Sequence, residues 1–146
     1  MSLPPVTYDR MKQVLENANL NYEVTESGQP YFGFEEFVCF VEVSENYLTL
    51  LAYLSGRLYG DEQMTKAVQL ASSYTSNVFV PRVCVSGVGT QDAPGVMTMD
   101  TAFPLGAGMT DEQLQIFFDS TMQAYGEALA TLSQEMPSVV SVQEEN

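Results

Sequence analysis

The sequence has no histidine and no tryptophan, and neither lysine nor arginine occurs after Arg82. Its 5 cationic residues face 19 acidic ones, which gives a formal net charge of −14 at pH 7. Without histidine, the chain lacks the side chain most often used for acid–base catalysis and metal ligation near neutral pH. A field this negative repels the phosphates of nucleic acids and anionic lipids. We therefore expect neither nucleic acid nor a membrane as a partner.

Cysteine is scarce as well. Cys39 and Cys84 lie in separate β-like runs and do not form a C-x-x-C pair. We interpret them as buried, reduced thiols; a disulfide and a reactive thiol remain the alternatives. A reactive thiolate needs positive charge nearby, and this chain has very little.

Targeting signals and long apolar runs are also missing. The start, Met-Ser-Leu-Pro-Pro, has neither a basic region nor an apolar one, so it does not read as a signal peptide. Apolar runs such as Phe37–Val41 are far shorter than the roughly 18 residues that a membrane span needs. We expect a cytoplasmic protein.

What the chain does have is enough apolar material for one core. With 146 residues, 45% of them hydrophobic, it has the size and composition of a single globular domain. We predict one domain over residues 6–137, followed by a flexible acidic tail over 138–146.

Periodicity and turn composition predict an α+β fold of order α-β-β-β-β-α-β-β-α, with a weak first hairpin. Short loops between neighbouring strands favour an antiparallel sheet flanked by helices. The helices are predicted over 7–18, from Gly60-Asp61 through an apolar face that reaches Tyr74, and from 111 to 136. The strands are predicted over 22–25, 31–34, 37–43, 47–54, 78–86 and 96–103.

Local signals support several of these elements. Asp61 is the expected cap of the second helix, and Thr110-Asp-Glu-Gln113 fits a capping box for the third. Met109 and Leu114 are spaced for a hydrophobic staple across that start. Because Pro81 cannot donate a ladder hydrogen bond, its strand should lie at a sheet edge or carry a bulge.

Two pairs of glycines resemble phosphate-binding loops, but neither context fits. Gly87-Val-Gly89 joins two strands, so no helix N-terminus faces it. Gly106-Ala-Gly108 precedes a helix whose first turn already holds Asp111 and Glu112, which would repel an anion. Neither pair predicts a nucleotide site.

Acidic pairs at the edges of elements are the remaining candidates for chemistry: Glu35-Glu36, Asp61-Glu62 and Asp111-Glu112. Solvated charge is expected at such positions, and no calcium-loop pattern is present. The usual routes to an activated serine are missing too, since there is no histidine and no S-x-x-K. We expect no metal site, no cofactor and no enzyme activity. Two alternatives stay open: a small-molecule or metal-dependent enzyme using Glu35, Glu36 or Asp100, and a purely structural domain.

Two helices carry more apolar surface than one-sided packing needs. The apolar residues of the second helix span an arc of about 160°, against the ~100° stripe of a helix packed on one side. The third helix, about 25 residues and roughly 37 Å long, should overhang strands of about 23–27 Å. Deep burial within one subunit is one explanation. We favour a partner or dimer surface, formed by Ala67, Leu70, Ala71, Tyr74, Leu129, Leu132 and Met136.

Over residues 6–137 the layout resembles the bacterial YbjN-like family, proteins labelled sensory-transduction regulators that share the fold of type III secretion chaperones. The matching features are Tyr22-Glu-Val24 with the Gly28 turn, the paired strands over 37–54, the helix after Gly60-Asp61, Asn77 before a strand, and Gly108-Met-Thr-Asp-Glu-Gln-Leu114 opening a helix that ends at Pro137. The resemblance implies a chaperone-like homodimer that binds or regulates other proteins without catalysis. We therefore expect a regulator or chaperone-like adaptor whose partners are a second copy of itself and a client protein.

Overall fold

The secondary structure follows the predicted order of helices and strands. The structure, a computed structural model, describes residues 3–141. Its elements are α1 (Tyr8–Asn17), β1 (Glu23–Val24), β2 (Pro30–Gly33), β3 (Phe37–Val43), β4 (Tyr47–Leu54), α2 (Gly60–Asn77), β5 (Arg82–Ser86), β6 (Val96–Pro104) and α3 (Asp111–Glu135), with a short 3-10 helix at Pro137–Val139.

Alternating apolar residues build the centre of the sheet. Side chains of β3 and β4 are buried at every second position, as a strand with one core-facing side requires. These two strands pair antiparallel from Phe37 opposite Leu54 to Val43 opposite Leu48. Both strands have the bounds predicted from the sequence.

All six strands join one antiparallel sheet in the order β1-β2-β3-β4-β6-β5. The chain leaves β4 through α2, forms β5 at the edge, and returns as β6 between them. Three helices and this sheet confirm the predicted α+β class. Strand β5 does lie at the edge of the sheet, as expected, but Pro81 immediately precedes it and is not part of it.

One face of the sheet packs against α3. The ring of Phe118 lies 5.8 Å from that of Phe32 between centroids, in an edge-to-face arrangement. Farther along α3, the ring of Tyr125 meets Phe37 in the same way at 6.5 Å. The Tyr125 hydroxyl donates a hydrogen bond to the backbone carbonyl of Leu50 inside the core. We call the opposite side of the sheet the outer face.

Of the two helix starts predicted with a capping residue for α2 and α3, one is confirmed and one is wrong. The capping box at Thr110 and Gln113 is confirmed, with both reciprocal hydrogen bonds formed. The predicted Asp61 cap of α2 is wrong, because the helix begins earlier and Tyr59 occupies the N-cap position. Among the described residues, no side chain caps the first turn of α2, although the Gln63 side chain accepts a hydrogen bond from the Tyr59 amide at 2.8 Å.

The strand predicted over 78–86 is shorter than expected. Helix α2 continues to Asn77, and the Val78 amide still donates to the Tyr74 carbonyl at 3.0 Å. Residues 78–81 therefore connect the helix to the sheet, and β5 begins at Arg82, after the proline.

The segment after α3 is packed, which corrects part of the predicted tail. Val139 is fully buried, and its carbonyl accepts a hydrogen bond from the Gly56 amide at 3.0 Å. Residues 138–141 thus lie against the loop that follows β4. The rest of the predicted tail, 142–146, falls outside the described residues.

Among the helices within residues 3–141, none combines the length and hydropathy needed to cross a bilayer.

Candidate functional site

Most of the predicted partner surface is buried in the core of its own chain. Five of the seven residues, two from α2, two from α3 and one directly after α3, have exposed fractions between 0 and 6%: Ala67, Ala71, Leu129, Leu132 and Met136. Leu70 and Tyr74 are half-buried against the same core. The α3 part of the prediction is wrong because the end of the helix is covered: it contacts the 3-10 helix, where Val139 is buried beside it.

The structure instead shows an apolar groove that the sequence did not predict. It is a cavity of about 580 Å³ between the end of α1, the turn from β2 to β3, and one side of α3. Six apolar side chains line it: Ala18, Leu20, Phe34, Phe37, Phe118 and Met122. Gly126 also lines it, and a Cβ placed there would touch nothing within 4 Å.

Carboxylates stand on the rim of this groove. Glu35, Glu36 and Asp119 line it, and all three are exposed. None of its lining residues within the described part of the chain is a lysine or arginine. Within residues 3–141, none of these three carboxylates forms an ion pair. An apolar lining beside such carboxylates favours a ligand that is both apolar and cationic. We call this site the acidic groove.

The turn that carries two of these carboxylates is held in place by the backbone. Ser55, just after β4, donates through its hydroxyl to the Glu35 carbonyl at 2.8 Å and through its amide to the Glu36 carbonyl at 2.9 Å. The Phe34 amide donates to the Phe37 carbonyl at 2.8 Å and closes the turn. These bonds fix the backbone from which the Glu35 and Glu36 side chains project.

Of the three carboxylates considered for an enzyme, Asp100 does not line the groove that holds Glu35 and Glu36. Asp100, with its side chain 15% exposed, forms a two-point ion pair with Arg82, so its partner is a cation and not a second acid. Glu35 and Glu36 lie on the rim of the acidic groove. Within residues 3–141, no three cysteine, aspartate or glutamate side chains come together as metal ligands.

Both cysteines are free thiols, but they differ in burial. Cys39 is fully buried, as predicted, and burial raises the pKa of its thiol far above the ordinary value. A thiol that stays protonated is a poor nucleophile. Cys84 is only half-buried, which differs from the prediction.

Aromatic side chains gather on the outer face. Tyr31 stacks on Phe40 with ring centroids 5.2 Å apart, and Phe40 meets Tyr53 at 5.9 Å with the ring planes at 87°. The alternation of β3 did carry a signal for this cluster, since Val38 and Phe40 make the strand apolar on both faces. The acidic groove had a weaker signal, the Phe34-Glu-Glu-Phe37 turn, whose proximity to α3 depends on tertiary packing.

The fold matches that of a known protein. Neither protein-family models nor curated proteins match the sequence. Among solved structures, the crystal structure of YbjN from E. coli, described as a candidate transcription regulator, matches with a TM-score of 0.76. The match covers 91% of this chain and 96% of that one, at 10% sequence identity. This chain therefore has the YbjN-like fold that its order of elements predicts.

Proposed function

We propose that this protein is a non-enzymatic protein-binding module, a regulator or chaperone-like adaptor, that takes up a positively charged amphipathic segment of another protein. The observation that carries the proposal is the acidic groove, where the apolar floor formed by Phe34, Phe118 and Met122 lies directly beside the carboxylates of Glu35, Glu36 and Asp119. Apolar anchors at helical spacing fit such grooves, and basic side chains around them complement the rim.

The size of the groove supports a side-chain-binding role. A cavity of about 580 Å³ lies within the 300–1,000 Å³ range of pockets that bind compact ligands. Phe34, which lines the groove, is 48% exposed. A partner segment laid along the groove would remove this ring from water.

The net charge is consistent with regulation through proteins. YbjN of E. coli is described as a candidate transcription regulator. The six to ten phosphate contacts of a typical nucleic-acid binder exceed the 5 cationic residues of this chain. A regulator with this surface acts by holding another protein.

A peptide-binding measurement tests the proposal. The probe is a fluorescent amphipathic helical peptide with leucines on one face and lysines on the other; the control peptide carries glutamates in place of the lysines. We expect the lysine peptide alone to raise the fluorescence anisotropy, with an affinity that falls as salt screens the rim.

A variant locates the binding. Gly126→Leu adds a side chain at the lining of the groove, where a Cβ meets no atom within 4 Å, and leucine favours the helix more than glycine does. We expect it to abolish binding without loss of stability. Ala130→Leu, at an exposed position of α3 outside the groove, is the matched control. Equal binding of both peptides, or unchanged binding to Gly126→Leu, would refute the proposal.

We further propose that the protein acts as a homodimer in which α2 contributes to the interface. The chain carries no charge from Ala67 to Pro81, which limits repulsion between two copies of charge −14. Val68 is 52% exposed on α2, and Phe79, just beyond the helix, is fully exposed. Leu70 and Tyr74, from the surface predicted earlier, lie half-buried on the same helix.

Light scattering tests the dimer. We expect about twice the chain mass of 16.1 kDa at micromolar concentration. Val68→Glu and Leu70→Glu should shift the mass towards the monomer, whereas Gln123→Glu, which adds the same charge at an exposed position of α3, should not. A monomer mass at high protein concentration would exclude the homodimer.

A further inference from the structure

A second cavity, of about 460 Å³, opens on the outer face of the sheet and shares no lining residue with the acidic groove. Three aromatic side chains from three different elements line it, together with one aliphatic, one amide and one acidic side chain: Tyr8, Phe40, Tyr53, Leu51, Gln29 and Glu42. We call it the aromatic cavity.

Two of the three aromatic rings stand nearly perpendicular to each other. Phe40 and Tyr53 stand on neighbouring strands with ring planes at 87° and centroids 5.9 Å apart. Leu51 pairs with Phe40 across the strands and lines the cavity beside these rings. Tyr31 stacks on Phe40 at 5.2 Å, so that ring is supported by a neighbour outside the cavity.

The third ring is held in place by the end of β3. The Tyr8 hydroxyl accepts a hydrogen bond from the Val43 amide at 3.3 Å. This bond anchors the first residue of α1 beside a part of β3 that β2 does not reach, since β2 pairs only with residues 38–40. The aromatic residues of the cavity are thus fixed by both sheet and helix.

The electrostatic character of the cavity selects for a cation. Aromatic faces carry partial negative charge, and Glu42 adds an exposed carboxylate. Among residues 3–141, Glu42 has no ion-pair partner, and no lysine or arginine lines the cavity. The Glu42 carboxylate would repel an anion, and a neutral apolar ligand would gain no attraction from it.

We propose that the aromatic cavity binds a methylated ammonium cation. Methyl groups make such a cation apolar enough to contact Leu51 and the rings, while its charge interacts with the ring faces and with Glu42. Unmethylated ammonium is more strongly hydrated and fits the apolar surroundings less well. The group that the cavity would recognise is trimethylammonium, carried either by a free small molecule or by a trimethyllysine side chain.

A pair of equally shaped ligands isolates the contribution of the charge. Choline and 3,3-dimethyl-1-butanol differ in one atom of the head group, which is cationic in the first and neutral in the second. Titration followed by NMR should show choline binding about tenfold more tightly, the factor expected for cation–π contacts at half-exposed rings. A trimethyllysine peptide, compared with its unmodified lysine form, distinguishes a protein-borne source from a free one.

Three variants assign the binding to this cavity. Tyr53→Leu removes a ring at a 39% exposed position while keeping apolar bulk, and Glu42→Gln removes only the charge. Each should weaken trimethylammonium binding several-fold with unchanged circular dichroism. Tyr47→Leu, on β4 and 51% exposed but outside the cavity, should bind like the wild type.

The results with choline, its neutral analogue and the trimethyllysine peptide decide the proposal. Binding of the trimethyllysine peptide without binding of choline supports the cavity and assigns it to a modified protein. Equal affinity for choline and its neutral analogue overturns the proposal, as does wild-type affinity in Tyr53→Leu. Absence of binding by both choline and the trimethyllysine peptide also overturns it.

Discussion

Thr75 of α2 satisfies both backbone groups of Val83 on the edge strand β5. Its hydroxyl donates to the Val83 carbonyl at 3.1 Å and accepts from the Val83 amide at 3.0 Å. An exposed strand edge is a template for unwanted pairing with other chains. One helical side chain therefore closes the middle of this edge.

Replacing this threonine should destabilise the sheet edge. Thr75→Val keeps the shape of the side chain but removes the hydroxyl, so two backbone groups lose their partner. We expect a loss of about 1–3 kcal/mol in the free energy of unfolding, measured with urea. Thr65→Val, at an exposed position of the same helix, should have little effect. Equal losses in both variants would contradict this role.

Glycine at position 56 is required by the segment after α3. A Cβ at Gly56 would overlap the carbonyl oxygen of Ser138 and crowd Val139. Gly56→Ala should therefore lower the free energy of unfolding by about 1–3 kcal/mol, as overpacking does. Gly106→Ala, where a Cβ meets no atom within 4 Å, is the control. A neutral Gly56→Ala would show that residues 138–141 are not held there.

The pair formed by Arg82 and Asp100 should behave as a structural ion pair. Arg82→Gln leaves the largely buried Asp100 carboxylate without its partner and should cost about 1 kcal/mol, because Arg82 itself is exposed. In the double variant with Asp100→Asn, the effect of Arg82→Gln should shrink. Additive effects, from thermal unfolding of all four proteins, would indicate that the two residues act independently.

Truncating a buried residue of the partner surface predicted on α3 should destabilise the folded protein. Leu132 is fully buried, so Leu132→Ala should destabilise the protein by about 2–5 kcal/mol. Leu70→Ala should cost less, because Leu70 is half-buried. Urea unfolding of both variants provides the comparison. A small effect of Leu132→Ala would restore the idea of a surface at the end of α3.

Stability should decrease in alkaline solution. Burial raises the pKa of the Cys39 thiol and of the Tyr125 phenol from ordinary values of 9.0 and 10.0. The folded state therefore keeps protons that the unfolded chain releases, and the free energy of unfolding falls as pH rises above about 9. This contribution is fully present below pH 9. Urea unfolding across neutral and alkaline pH measures the slope, which Cys39→Ala should reduce. A constant stability over this range would contradict the assignment.

The elements predicted best from the sequence are those whose pattern is local. The alternation of β3 and β4 depends only on the side-chain period of a strand, and both strands end where predicted. The capping box at Thr110 needs four consecutive residues and was also predicted. By contrast, the Asp61 cap was predicted wrongly because α2 already begins at Gly60, so Asp61 lies inside its first turn.

The candidate sites depended on contacts far apart in the chain. The wide apolar arc of α2 was visible in the sequence, but whether it faced its own core or a partner was not. Ala67 and Ala71 turn out to be buried, while Val68 remains exposed. Likewise, the length of α3 predicted an overhang, and only the packing of Val139 beneath the loop at Gly56 showed that the overhang is covered.

By itself, the sequence determined the order of helices and strands, the strongly negative charge and the absence of histidine chemistry. These properties follow from residue type and from periods of a few residues. Only the tertiary structure placed the Phe34–Phe37 turn beside α3 to form the acidic groove, and Tyr8 beside Phe40 and Tyr53 to form the aromatic cavity. Both sites join residues from separate elements, and that proximity is decided by the packing of the whole domain.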